Sequence, residues 1–121
     1  PQSLKTRLNQ PVILVNNVGI SEIIKIKDQA IDSMKDIISV NCLPMAALTT
    51  SFIQRCNKDS RKGGIINISS YSWVNPMPYM TVYAATKAYN DTLSISCGRE
   101  NKNIDVLSVR AMMVISGRVK K

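Results

Sequence analysis

Histidine is missing from the 121 residues altogether. That absence excludes Ser-His-Asp and Cys-His catalysis and any histidine-ligated metal within the chain. Proton transfer near neutral pH then falls to a carboxylate, a cysteine, or a tyrosine perturbed by a lysine beside it. Cysteine is scarce: Cys42, Cys56 and Cys97 are too few for a disulfide framework and form no C-x-x-C pair. Reduced, buried thiols and no metal site are expected. No apolar stretch reaches the roughly 18 residues of a membrane span, and no short apolar core with a cleavage site marks a signal peptide. The chain opens on Pro1 with an apolar run from Pro11, so it reads as a segment of something longer. A membrane anchor elsewhere in that longer chain is left open. Acidic residues are few, 8 against 16 basic ones, for a net charge of +8. That charge suits an acidic partner, but it equally suits a solvated lysine-rich surface. Arg55, Lys58, Arg61, Lys62, Arg118, Lys120 and Lys121 cluster in one turn and the tail with no aromatic residues between them. Specific nucleic-acid binding gains little support from that arrangement.

What is present is ordinary globular composition, 45% hydrophobic and 20% charged, enough for one domain with a modest core. There is no internal repeat, low-complexity tract or linker. "PVILVNNVG" (11–19) is a β-branched run ending in turn residues, the pattern of a parallel strand buried on both faces. From about Gln29 to Cys56 apolar residues recur at helical spacing, interrupted by Pro44. "NKDSRKGG" (57–64) is a polar turn, and "IINIS" (65–69) is a second strand. Pro76 and Pro78 make 70–80 a loop. A second helix is predicted over about 81–100, and "IDVLSVRA" (104–111) is a third strand. Strand, helix, strand, helix, strand is the order of an α/β fold with a parallel sheet and crossover helices. Ligands of such sheets sit beyond the carboxyl ends of the strands.

Within the second helix, "YAATK" (83–87) places a tyrosine and a lysine four apart, on one helix face about 5–6 Å from each other. Both can therefore act on one bound molecule. Met77, Met80, Met112 and Met113 fit either an apolar substrate site or ordinary core, with core slightly favoured.

"NNVG", "SVN", "NISS", "YAATK" and the last strand, in that order and with a serine 13 positions before the tyrosine, resemble the short-chain dehydrogenase/reductase family. "ILVNNVG", with Val18 in place of the commoner alanine, resembles its branch of very-long-chain 3-oxoacyl-CoA reductases and 17β-hydroxysteroid dehydrogenases. The resemblance runs from Pro11 to about Ser116. It implies a partial Rossmann-like fold and an oxidoreductase using NADP(H), with NAD(H) not excluded. The implied substrate is a long-chain 3-oxoacyl-CoA or a steroid-like ketone. Tyr83 matches the proton donor, and Lys87 matches the lysine that holds the cofactor ribose and depresses the tyrosine's pKa. Ser70 matches the serine that binds the substrate oxygen, and Asn41 the asparagine that holds a relay water. Asn16, Asn17 and Gly19 match a turn near the adenosine side of the cofactor, although both asparagines also suit a structural turn. Ile115 and Ser116 match the segment closing over the nicotinamide. The resemblance further implies a homodimer through the two helices. It makes the cytosolic face of the endoplasmic reticulum membrane, or the cytoplasm, the expected setting.

The chain departs from the family in three places. It has no T-G-x-x-x-G-x-G turn, so the pyrophosphate site and the residues choosing between NADPH and NADH are not in it. The 121 residues alone are therefore expected to be inactive. Ala111 stands where relatives usually carry proline, which loosens the loop leading to Ser116. Pro44 in the first helix removes a hydrogen bond to Val40 and is expected to kink the helix beside Asn41. A non-catalytic fragment or assembly component of the same fold is the alternative reading, and a basic nucleic-acid-binding module rests on charge alone.

Overall fold

The computed structural model describes residues 12–112. Strand β1 (Val12–Asn16) leads through a 14-residue connection, which holds a short 3-10 turn at Ile26–Asp28, into helix α1 (Ile31–Lys58). Strand β2 (Gly63–Ser70) is followed by a 3-10 turn at Tyr71–Trp73, helix α2 (Thr81–Glu100) and strand β3 (Ile104–Ala111). The strands lie in chain order and all pair in parallel, with Val12 opposite Gly63 and Gly63 opposite Ile104. This βαβαβ unit is one half of a doubly wound sheet, as the strand and helix pattern predicts.

Right-handed crossovers between strands laid down in order bring both helices to the same face of the sheet. Burial alternates accordingly. Leu14, Ile65, Asn67 and Val106 face the helices, whereas Ile13, Val15 and Leu107 on the other face are 67%, 56% and 56% exposed. The expectation that both faces of the first strand are covered is thus not met within the described residues. A β-branched run marks a parallel strand but does not say on which side its crossovers pass.

The core is the small cluster Cys56, Ile65 and Ile104, with Val12, Leu14, Phe52, Ile53 and Val106 packed around it. All three cysteines are free; Cys42 and Cys56 are buried and Cys97 is half-buried. Helix α1 runs unbroken through Pro44. Asn41, Met45 and Thr49 are buried on one stripe at i, i+4 and i+8, so packing on both sides of the proline holds the helix together. By length and composition α1 also passes for a membrane span, with a mean hydropathy of 1.4 over 18 residues. This corrects the expectation that no such stretch exists: uncharged polar residues such as Asn41 and Thr49 break the apolar run yet leave the mean high. Core helices of soluble proteins pass the same test, and α1 packs on the sheet.

Where α1 meets the start of β2, a side chain larger than glycine's fits only if its neighbours shift. A Cβ at Gly63 would lie 2.8 Å from Phe52 Cε1 and 2.9 Å from Cys56 Sγ. Gly63→Ala should therefore destabilise the fold by about 1–3 kcal/mol through overpacking. Gly64→Ala, whose added Cβ meets nothing nearer than 3.6 Å, should cost clearly less in the same urea titration.

Candidate active site

A crevice of about 250 Å³ opens at the carboxyl ends of the three strands, lined by Asn17, Gly19, Ser70, Tyr83, Lys87 and Met112 among others. Each element contributes for a local reason. β2 ends at Ser70, whose hydroxyl oxygen accepts the Ser72 N–H at 3.1 Å and caps the following turn. The hydroxyl proton is left to donate to a ligand. α2 presents Tyr83 and Lys87 one turn apart on the same side, with the Lys87 ammonium 5.5 Å from the centre of the Tyr83 ring. The connection after β1 brings Asn17 and Gly19 to the opposite wall.

Lys87 is only 5% exposed. Its ammonium donates to the Ile68 carbonyl at 3.0 Å, and its own carbonyl accepts from Ser69 Oγ at 2.8 Å. No carboxylate among the described residues pairs with it. Burial pulls its pKa below the ordinary lysine value, with nearby Cys42 acting weakly in the opposite direction. The Cys42 thiol is itself pushed up by burial, opposed by the Lys87 charge. Gly19 sits against this group: a Cβ there would lie 3.4 Å from Lys87 Nζ and 3.4 Å from Asn41 Oδ1.

The structure brings Ser70, Tyr83, Lys87, Asn17 and Gly19 to one crevice. It places two other expected residues behind it. Asn41 is buried and clamps the connection after β1: its oxygen accepts the Ile20 N–H at 2.8 Å. Its amide nitrogen donates to the Ile20 carbonyl at 2.9 Å and to Thr86 Oγ1 at 3.0 Å. Both amide hydrogens are thereby used within the chain. Asn16 is likewise buried, donating to Asn67 Oδ1 at 2.8 Å and Thr49 Oγ1 at 3.3 Å. This is the structural role left open for it. Ile115, Ser116 and Met113 lie outside the described residues. Met112 and Met77 are 73% and 51% exposed, so neither is the core methionine favoured from sequence.

Several supporting residues were not singled out from the sequence. Asn67 donates to Ser94 Oγ at 2.8 Å, and Thr86 Oγ1 donates to the Tyr83 carbonyl at 2.7 Å. The signal for Asn67 was available: it is the one amide inside the apolar run "IINIS".

A parallel βαβαβ unit with a tyrosine, a buried lysine and a serine converging at its strand ends is a Rossmann-like ligand-binding fold. The sequence profile of short chain dehydrogenases matches residues 2–121. The chain belongs to the short-chain dehydrogenase family. Among curated relatives, the very-long-chain 3-oxoacyl-CoA reductase of Mus musculus is 36% identical over 115 residues, covering 89% of this chain and 36% of the relative. The Bos taurus protein of the same name is 36% identical over 99 residues, covering 78% of this chain and 31% of its own length. The chain thus spans about a third of these relatives. The solved structure of 4-hydroxyisoleucine dehydrogenase with NADH and succinate matches with a TM-score of 0.78 at 30% identity, covering 88% of this chain and 52% of that one. ElxO with NADP bound matches in fold alone, with a TM-score of 0.83 at 24% identity, covering 90% of this chain and 45% of that one.

A lysine whose folded pKa lies below its unfolded value binds fewer protons in the folded chain. Stability should therefore rise with pH from the folded pKa of Lys87 up to the ordinary value of about 10.4. Urea midpoints of the chain and of Lys87→Met at matched pH should diverge over that range in favour of lysine. A flat difference between about pH 7 and 10 would show that the ammonium is not desolvated.

Proposed function

We propose that this chain carries the catalytic centre of a nicotinamide-dependent reductase of ketones, with a long-chain 3-oxoacyl thioester or a steroid-like ketone as substrate. The observation that carries the reading is the desolvated Lys87 ammonium 5.5 Å from the Tyr83 ring, in a crevice shared with Ser70. Burial leaves that ammonium with a single described acceptor, the Ile68 carbonyl, so it is a strong donor toward ribose hydroxyls. Lys87 fits the ribose hydroxyls beside the nicotinamide of NADP(H) or NAD(H), which supplies the hydride when bound, and Asn17 and Gly19 line the same crevice.

The chain's own residues do the rest. Ser70 donates to the carbonyl oxygen and polarises it. Tyr83 transfers its phenolic proton to that oxygen as charge develops there. The Lys87 ammonium, 5.5 Å from the ring centre, places a positive charge beside the group that gives up the proton. Asn41 acts indirectly, by fixing both the Ile20 backbone and Thr86, which in turn bonds the Tyr83 carbonyl. Met112, exposed where it lines the crevice, gives an apolar approach for an acyl chain. The names of the curated relatives support the thioester over the steroid. The endoplasmic reticulum setting rests on the family resemblance alone, with any membrane association through a segment outside these residues.

In the full-length protein, Tyr83→Phe should lower kcat by about 10²-fold or more while leaving nicotinamide binding nearly unchanged. The 121 residues alone should give no turnover. Nicotinamide absorbance with a 3-oxoacyl thioester and with a steroid ketone checks both, and full activity in Tyr83→Phe overturns the role given to the tyrosine.

We further propose a homodimer through α1 and α2. Ile31, Ile38, Leu43 and Leu48 of α1 are all at least half exposed, and an apolar recess of about 330 Å³ lies between the helices, lined by Ile38, Ala85 and Tyr89 among others. Beside this recess Ala85 is exposed, whereas Ala84 is buried within the chain. Ala85→Arg should shift the full-length protein from dimer to monomer in sedimentation. A strict monomer before substitution would refute the interface.

A further inference from the structure

Behind the crevice stands a second polar cluster that the reaction described above does not use. Asp91 lies four residues after Lys87 on α2, and its side chain is 2% exposed. It accepts from Ser108 Oγ at 2.5 Å, from Arg110 Nε at 3.1 Å and from Arg110 Nη2 at 3.0 Å. Ser108 and Arg110 are two apart on β3, so both reach toward α2 from the same face of the sheet. Beyond Asp91, the Arg110 guanidinium stacks on the ring of Trp73, 5.1 Å from its centre. Trp73 closes the 3-10 turn that starts directly after Ser70. Its indole N–H is buried and has no acceptor among the described residues, so stacking rather than a hydrogen bond orients the ring.

We propose that Asp91, Arg110 and Trp73 form a positioning relay that sets the turn after Ser70 and the end of β3 against the Tyr83 and Lys87 face of α2. The Arg110 side chain is 46% exposed, but the geometry at the buried Asp91 end differs from that of a surface ion pair. An exposed pair contributes little, because water replaces either partner. A carboxylate as buried as Asp91 has no such substitute, and a forked guanidinium held by two nitrogens is fixed in plane and in direction. Burial raises the Asp91 pKa, but hydrogen bonds from Arg110 and Ser108 and the guanidinium charge outweigh it and hold the group below its ordinary value. The anchor therefore stays ionised throughout the neutral range. One guanidinium thus links the helix bearing Tyr83 and Lys87, the turn after Ser70, and the strand end that carries Ala111 and Met112 into the crevice. Ser70, placed by that turn, takes its position relative to Tyr83 from the relay.

Trp73 is the single tryptophan of the chain, so its emission reports the relay without any substrate. Asp91→Asn keeps the shape of the anchor and removes its charge without touching the indole. The relay predicts that this substitution alters the emission intensity or wavelength of the folded protein, with Arg110→Met altering it further and Arg110→Lys partly restoring it. Unchanged emission in folded Asp91→Asn overturns the proposal. If Asp91→Asn does not fold, Arg110→Met against Arg110→Lys decides by the same criterion.

The kinetic arm rests on the reductase reading given above. In full-length protein, Asp91→Asn and Arg110→Met should raise KM for the carbonyl substrate about 10- to 100-fold, as a displaced substrate-positioning group does, while KM for the nicotinamide changes less than about twofold. A purely structural role lowers the unfolding midpoint and leaves both constants of the folded enzyme alone, which refutes the relay. Loss of the reductase reading is seen separately, as full activity in Tyr83→Phe. The fluorescence result stands or falls without it.

Discussion

The Lys87 ammonium, withdrawn from water at the end of a parallel sheet, is the constraint around which the rest of the described structure is arranged. Burying a cation without a carboxylate is expensive, and only firm dipoles make it tolerable. Here the Ile68 carbonyl at the end of β2 supplies one, and Ser69 ties the Lys87 backbone to the same strand. The position of α2 on the sheet therefore follows from the lysine at its centre. Gly19 packs on the opposite wall, where an added Cβ would stand in contact at 3.4 Å with both the ammonium and the Asn41 side-chain oxygen. Tyr83, one turn back, inherits its place beside the charge.

A layer of polar side chains between sheet and helices holds that arrangement in register. Thr49, Asn16, Asn67 and Ser94 are all buried and connect α1, β1, β2 and α2 through hydrogen bonds of 2.8 to 3.3 Å. Asn16 and Asn67 are also direct partners in the strand pairing. A slip of one residue between β1 and β2 would turn one amide to the other face and leave its partner buried and unpaired. Apolar contacts at this level of burial would be less selective, because Ile65 or Leu14 tolerates small shifts that an amide pair does not.

The same geometry leaves apolar surface elsewhere. Both crossovers use one face of the sheet, so Ile13, Val15 and Leu107 stand exposed on the other, and the outer side of α1 shows a second apolar band. Parallel strands seldom face water on either side. The strong hydrophobic signal in the sequence thus reports more surface to be covered than these residues cover for one another.

The alternation of β-branched runs with helix-length segments was legible because it depends on neighbours a few residues apart, and it located three strands and two helices with small errors at their ends. "YAATK" was legible for the same reason, since helical spacing alone puts Tyr83 and Lys87 on one face. Pro44 was legible as a proline inside a long helix, but the buried stripe of Asn41, Met45 and Thr49 around it was not. The covered faces of the sheet misled, because crossover direction is not written in any strand.

The residues that hold the site together belong to the tertiary structure. Asn16 meets Asn67 across 51 positions, Asn41 meets Thr86 across 45, and Asp91 meets Arg110 across 19. No window along the chain contains these pairs, and spacing alone does not single out Asn67, Thr86, Asp91 or Arg110 as their partners. The sequence by itself determined which elements form and which two side chains share a helix face. Only folding decided that Lys87 is dry, that Asn41 is a clamp and that Arg110 lies on Trp73. Desolvation and hydrogen-bond direction arise when distant segments exclude water together, and local propensity carries no information about either.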